Sequence, residues 1–219
     1  IFNTIASPRV LKSIAFRYRK FPQYDILTTL MGTGSSQIPV LMLGMLFNPT
    51  ISGYYYLTQR IIQTPINIIS GSVLEVFKEK ASRSIRVTGT ATSVYYKTLL
   101  MLATGSLFFG LLIYLLIDEI IVFTFGPTWS EAGLYAKILL PAMMLRFISN
   151  PLGVMIYIKE KQQINLYMNT VLFIAIIATF FIAKTPEHII IGLSLSYSFI
   201  YLAQIFISYN LAKSGNTVL

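Results

Sequence analysis

An arginine in the middle of a long apolar stretch is the first residue in this sequence that could do chemistry. The stretch covers residues 51–75, which is long enough to cross a bilayer, and Arg60 lies near its middle. An ionisable side chain at membrane depth is costly, so it normally faces a protein interior or a wet cavity. Polar and small residues recur here at the spacing of one helical face, namely Tyr56, Arg60, Gln63, Asn67 and Gly71. This pattern predicts a helix that lines a cavity.

A second arginine, Arg146, lies about 13 residues into another apolar stretch, at a depth of roughly 20 Å in a helix. The same stretch carries Asn150, and the last apolar stretch carries a polar stripe that includes Tyr201. Ordinary helix–helix packing also uses polar stripes of this kind, and that alternative stays open for the stripe with Tyr201. For the two arginines, the corresponding alternative is a purely structural ion pair.

Few acidic residues are placed to neutralise these arginines. Glu75 lies at one end of the stretch with Arg60, and Asp118 and Glu119 lie toward the end of another. The planar fork of arginine suits phosphate and carboxylate groups, so a cavity lined by arginine without carboxylates predicts an anionic ligand. We predict that six residues bind this ligand: Arg60, Arg146, Gln63, Asn67, Asn150 and Tyr201.

The motifs of common catalytic sites do not occur in the sequence. It has no P-loop string, no H-E-x-x-H motif, no G-x-S-x-G elbow and no cysteine. These absences favour transport over catalysis, and neither a cofactor nor a metal site is predicted. No acid lies in the middle of an apolar stretch, so a site for a coupling ion is not apparent; Asp25 is the one candidate.

The composition is that of an integral membrane protein. Hydrophobic residues make up 55% of the chain, charged residues only 11%, and the mean hydropathy is +0.68. A soluble fold could not cover this much apolar surface with so few charges. The net charge of +9 is explained by basic loops, as shown below, and no nucleic-acid partner is predicted.

Hydropathy predicts an all-α protein with six transmembrane helices. An amphipathic basic segment at 1–23 precedes them at the cytoplasmic membrane surface, and a cytoplasmic tail at 212–219 follows. The predicted spans cover about 24–47, 51–75, 98–124, 133–157, 164–183 and 188–211. The fifth span is apolar after Asn169 and Thr170, which predicts that it faces lipid. Because the chain opens with Ile1, we expect a fragment of a longer protein.

The distribution of lysine and arginine predicts the orientation. Outside the six spans, thirteen of these residues lie on one side of the membrane, mainly in the leading segment and the predicted 77–97 loop. Only Lys184 lies on the other side. Lysine and arginine accumulate on the cytoplasmic side, so both ends of the chain are predicted to be cytoplasmic.

Several strings of the sequence resemble the polysaccharide flippases of the Wzx type. These are YRKFP at 18–22, GYYYLTQRIIQTP at 53–65, FGPTWSEAG at 125–133 and RFISNPL at 146–152. Their order and spacing are similar to the C-terminal half of these proteins, which belong to the multidrug/oligosaccharidyl-lipid/polysaccharide exporter superfamily. The resemblance covers essentially the whole chain, from about residue 8 to residue 211.

The resemblance implies one six-helix lobe of a two-lobe, alternating-access transporter. Such a protein moves undecaprenyl-pyrophosphate-linked repeat units of O-antigen, capsule or exopolysaccharide across the bacterial inner membrane. It implies that the pyrophosphate contacts Arg60 together with Arg146, since the family is thought to keep a cationic interior. The implied partners are this lipid-linked oligosaccharide, the bilayer and an N-terminal lobe of the same protein; the polysaccharide polymerase machinery is a candidate partner.

Three alternatives remain open at this stage. A drug or cation exporter of the same superfamily would need membrane carboxylates, which are absent from the centres of the spans. A membrane-embedded glycosyltransferase or polymerase would need positioned acids, for which Asp118, Glu119 and Glu131 are the candidates. A non-transporting scaffold lobe would tolerate neutral replacements of both arginines.

Overall fold

The structure, a computed structural model, describes residues 20–215, with side chains from residue 25 onward. The amphipathic segment predicted at 1–23 lies outside the described residues up to residue 19, as does the end of the predicted tail after residue 215. The described part is helical throughout and contains no strand. Its helices are α1 (Lys20–Leu46), α2 (Pro49–Thr88), α3 (Thr92–Phe125), α4 (Ser130–Leu152), α5 (Val154–Ile158), α6 (Gln162–Ile182) and α7 (Pro186–Lys213).

Five segments are long and apolar enough to cross a membrane. They are Asp25–Leu46, Thr92–Phe125, Pro127–Ile158, Gln162–Ile182 and Pro186–Lys213. The protein is therefore a multi-pass membrane protein. The remaining predicted span falls within α2, which is long but not apolar enough to be counted with the five. A six-span count stays a prediction.

The basic loop predicted at 77–97 is wrong, because most of it is helical. Helix α2 has 40 residues, about 60 Å at 1.5 Å per residue, which is twice the thickness of a hydrocarbon core. Its last turns bury Phe77, Ala81 and Ile85, spaced by four so that they share one face. Gly89 then ends the helix in the left-handed region, with φ of 78°.

Helix α4 is the centre of the bundle, and most of its length is buried. It packs against α2, α3 and α7, while α6 packs mainly against α1 and α7. Three buried hydroxyls from the surrounding helices donate to backbone carbonyls of α4, a common glue between membrane helices. These bonds run from Thr58 to Ala132 (2.7 Å), from Ser106 to Met144 (3.1 Å) and from Ser194 to Ile138 (2.7 Å).

Helices α3 and α4 approach closely where α4 carries a glycine. Gly133 is buried, and a Cβ at this position would overlap the Asp118 side chain. Asp118 forms an ion pair with Lys137, one turn further along α4, and the Lys137 ammonium lies 5.3 Å from the centre of the Tyr114 ring. The missing side chain at Gly133 thus makes room for the acid that neutralises Lys137.

Replacing Gly133 by valine should therefore destabilise the α3–α4 contact. We expect a loss of about 1–3 kcal/mol, as for other overpacked sites, measured as a lower midpoint of thermal unfolding in detergent. Gly105→Ala is the matched control on the same pair of helices, because its new Cβ would meet Phe147 at 3.8 Å, an ordinary contact. Equal midpoints for the two variants would contradict this account.

The predicted orientation can be tested with single cysteines, since the natural sequence has none. We expect a membrane-impermeant maleimide to label Thr50→Cys, in the first turn of α2, in intact cells. Ser93→Cys, at the start of α3, should react only after the membrane is permeabilised, because its side is predicted to be cytoplasmic. Both residues are exposed. The reverse pattern would show that the orientation is inverted.

Candidate functional site

A polar cavity of about 490 Å³ lies within the bundle. Its walls come from every helix except α3, and they combine hydroxyl, carboxamide and apolar side chains with one arginine. The lining residues are Thr28, Gly32, Thr33, Ser35, Ser36, Gln63, Leu74, Arg146, Ser149, Asn150, Gly153, Val154, Tyr157, Asn165, Met168, Asn169, Leu172, Tyr197, Ile200, Tyr201 and Gln204.

Four of the six predicted binding residues line this cavity. They are Gln63, Arg146, Asn150 and Tyr201. Arg60 and Asn67 do not line it, and both are exposed on the outside of α2. Within the described residues, the cavity therefore brings together Arg146 and not Arg60. Whether any of these residues binds a ligand stays a prediction.

Arg60 and Asn67 do not reach the cavity because a different face of α2 turns inward. The buried residues of its first half are Tyr55, Thr58, Gln59, Ile62, Ile66 and Ser70. The predicted stripe is offset from these positions by about one residue, or about 100° around the helix, so it points away from α4. Gln63 lies at the edge between the two faces and is the member of the stripe that reaches the cavity.

The two arginines also lie at different levels of the membrane. Thr58 is level with Ala132, and Ser70 is level with Asn150, because each pair is joined by a hydrogen bond. Interpolating between these bonds places Arg60 about seven residues of α2, or about eleven residues of α4, from the level of Arg146, which is roughly 10–16 Å along the helices. The two arginines therefore lie at different depths as well as on different faces.

Arg146 lies beside a tyrosine from the last helix. Its guanidinium is close to the Tyr201 hydroxyl, and the Tyr201 ring stacks on Tyr197, with ring centres 6.2 Å apart and an interplanar angle of 10°. A hydroxyl neighbour does not neutralise the charge of Arg146. The described part of the chain contains two ion pairs, Glu75–Lys78 and Asp118–Lys137, and neither includes Arg146.

Two buried hydrogen bonds flank the contact between Tyr197 and Tyr55. Gln59 donates to the Tyr55 hydroxyl at 2.6 Å, and Tyr55 packs with Tyr197 in one buried cluster. Tyr197 in turn donates to the Ser35 carbonyl at 2.9 Å. These contacts, which we call the tyrosine relay, satisfy polar groups from α1, α2 and α7 in a water-poor interior.

Arg146 is the one charged side chain among the described lining residues. A hydrogen bond connects one acid, Asp25 on α1, to the cavity wall. The Asp25 carboxylate accepts this bond from the Tyr157 hydroxyl at 3.3 Å. Tyr157 lines the cavity and Asp25 does not. The described residues contain no cluster of histidine and acidic side chains that could hold a metal ion.

Sequence reasoning missed the contribution of α6. The fifth span was predicted to face lipid, yet Asn165 is buried, and both Asn165 and Asn169 line the cavity. They are four residues apart and share a face. The sequence therefore contained a polar stripe on this helix, but the stripe was only two residues long. Beyond them, Leu172, Ile176 and Phe180 are buried as well, so the apolar half of α6 packs within the bundle on one side.

Apolar helices around a polar cavity define a multi-pass helical membrane protein with an internal site. A model of one family, described as polysaccharide biosynthesis protein, matches residues 4–133, which is more than half of the chain. The chain therefore belongs to this polysaccharide biosynthesis protein family. No curated protein and no solved structure matches it.

Replacing Tyr197 by phenylalanine should break the tyrosine relay. It removes the buried hydroxyl that donates to the Ser35 carbonyl, and leaving a buried group without its partner costs about 1–3 kcal/mol. We expect a lower midpoint of thermal unfolding in detergent. Tyr167→Phe serves as the control because Tyr167 is exposed on the outside of α6. A Tyr197→Phe protein as stable as this control would show that the relay does not stabilise the bundle.

Proposed function

We propose that this chain forms one lobe of a Wzx-type flippase, a transporter that moves lipid-linked oligosaccharides across the bacterial inner membrane. The observation that carries the proposal is the unneutralised Arg146 in a polar cavity that no described carboxylate lines. Arg146 is partly buried, and a charge at membrane depth without an acidic partner is unfavourable. An anionic ligand that enters the cavity would supply the missing partner.

Family membership supports the same proposal. The chain belongs to a family of polysaccharide biosynthesis proteins. The building blocks of a polysaccharide must cross the membrane when they are assembled on one side and polymerised on the other. A lipid-linked oligosaccharide has a charged phosphate group, polar sugars and a hydrocarbon tail. A membrane-embedded cavity with one cation and many uncharged polar groups is complementary to such a head group.

The outward face of α2 supports a second lobe. Tyr56, Arg60, Asn67 and Ser72 are exposed there, although helices on both sides of α2 in the sequence are apolar enough to cross a membrane. Arginine facing hydrocarbon would be costly. We propose that this face borders a translocation path shared with an N-terminal lobe and that Arg60 meets the pyrophosphate of the carrier there.

The alternative functions receive less support from the side-chain contacts. A cation exporter would need a carboxylate in the cavity, and the described lining residues include none. A glycosyltransferase or polymerase would need a free catalytic acid, but Asp118, the most deeply placed of the three candidates, forms an ion pair with Lys137. Glu119 and Glu131 are exposed and lie outside the cavity.

Replacing either arginine by alanine in the full-length protein should abolish transport. We expect Arg60→Ala and Arg146→Ala each to lower surface polysaccharide by roughly tenfold or more, because a hydrogen bond to a charged group contributes about 1.5–3 kcal/mol. Arg83→Ala, which removes an exposed arginine from the distal part of α2, is the control. Normal polysaccharide from both variants, at matched protein levels in the membrane, would refute the proposal.

A further inference from the structure

The walls of the cavity differ chemically from those of a phosphate site. Five carboxamide side chains line it: Gln63, Asn150, Asn165, Asn169 and Gln204. Each carboxamide offers both N–H donors and a carbonyl acceptor, whereas a phosphate offers acceptor oxygens only. A phosphate could therefore not satisfy the carbonyl groups. Sugar hydroxyls and N-acyl groups both donate and accept, so they match these walls.

The carboxamides are only partly satisfied within the protein. Asn150 donates one N–H to the Ser70 hydroxyl at 3.3 Å, and Asn169 donates one to the Asn165 backbone carbonyl at 2.9 Å. Both bonds use donors, so they leave the side-chain carbonyls as acceptors. The side-chain carbonyl groups that remain as acceptors favour a ligand that brings hydrogen-bond donors.

Three hydroxyls in the wall have no hydrogen-bond partner. They belong to Thr28, Ser35 and Ser149, and the oxygen of each is buried. Buried polar atoms in folded proteins nearly always have a partner. Elsewhere in the bundle, Ser106 and Ser194 donate to backbone carbonyls of α4. The hydroxyls without a partner therefore cluster in the wall of the cavity, where polar groups are less well satisfied than in the surrounding helix contacts.

The charge of the cavity matches one negative group. Arg146 supplies the one charge on the described walls, and the Tyr201 hydroxyl lies beside it. A pyrophosphate diester carries two negative charges. Arg60 does not line this cavity, so it does not supply the second positive charge here.

From these observations we infer that the cavity beside Arg146 is a subsite for a sugar residue that carries one carboxylate, and that the pyrophosphate binds elsewhere. This inference rests on the proposed function. It assigns the sugar of the substrate to Arg146 and the pyrophosphate to Arg60. The volume of about 490 Å³ lies in the range of small-molecule sites. The stacked Tyr197 and Tyr201 rings offer an apolar wall for the C–H face of a sugar ring.

The test compares two sugars that differ only in charge. Binding of methyl glucuronide and of methyl glucoside to the purified full-length protein is measured by saturation-transfer NMR, with inorganic pyrophosphate as the competitor. We expect the glucuronide to have a Kd roughly tenfold to hundredfold lower than the glucoside, the effect of one charge-assisted hydrogen-bonding contact. Pyrophosphate should not displace it.

Four variants assign the effect to individual side chains. Arg146→Gln should remove the preference for the glucuronide, whereas Arg60→Gln should leave it unchanged. Thr33→Val removes an accessible hydroxyl from the cavity wall and should weaken the binding of both sugars by roughly fivefold, the effect of one hydrogen bond. Ser106→Ala is the matched control, since it removes a buried hydroxyl outside the cavity, and sugar binding should survive.

Three results would overturn the inference. They are displacement of the glucuronide by pyrophosphate, a preference that persists in Arg146→Gln, and the absence of glycoside binding to the unmodified protein. The proposed function fails by a different result, namely normal surface polysaccharide in the Arg60→Ala and Arg146→Ala strains. Loss of polysaccharide without a preference for the glucuronide would leave the transporter in place and overturn only the sugar subsite.

Discussion

The free energy of a charged guanidinium inside an apolar bundle is the constraint on which the rest of the site depends. Arg146 cannot reach an acid within the described residues, so its environment has to be polar without being anionic. The surrounding helices supply this environment with hydroxyl and carboxamide groups, which solvate a cation weakly. An anion that entered such a site would supply the missing counter-charge, which is what the proposed transport function requires.

The polar interior requires rigid walls, and these come from backbone acceptors rather than from ion pairs. Helix α4 accepts hydrogen bonds from α2, α3 and α7 at Ala132, Met144 and Ile138. These bonds need little side-chain reach, so the helices approach closely and exclude lipid. Gly133 also allows a close approach of two helices, because its missing side chain leaves room for Asp118. The three hydrogen bonds join α4 to its neighbours alongside two buried apolar clusters that fill the rest of the bundle.

The sequence predicted the class of fold and most of the elements, because long apolar stretches leave few alternatives to membrane helices. It also indicated Arg146, Asn150 and Tyr201, whose stripes do face the cavity. It could not show which side of α2 turns inward. Two adjacent stripes on that helix have the same periodicity, and the inward one contains Tyr55 and Gln59. Periodicity defines a face, but only the neighbouring helices decide where the face points.

The inward orientation of α2 has a consequence for how the two arginines are related. Gln59 begins the tyrosine relay, and Arg60 is the next residue on the same helix. The relay runs from Gln59 through Tyr55 to Tyr197, whose ring stacks on the tyrosine beside Arg146. A rotation of α2 that moves Arg60 would therefore also displace Tyr197 in the wall of the cavity. Arg60 and Arg146 are separate in space but are connected through these side chains, so binding at the outer face of α2 and binding in the cavity need not be independent.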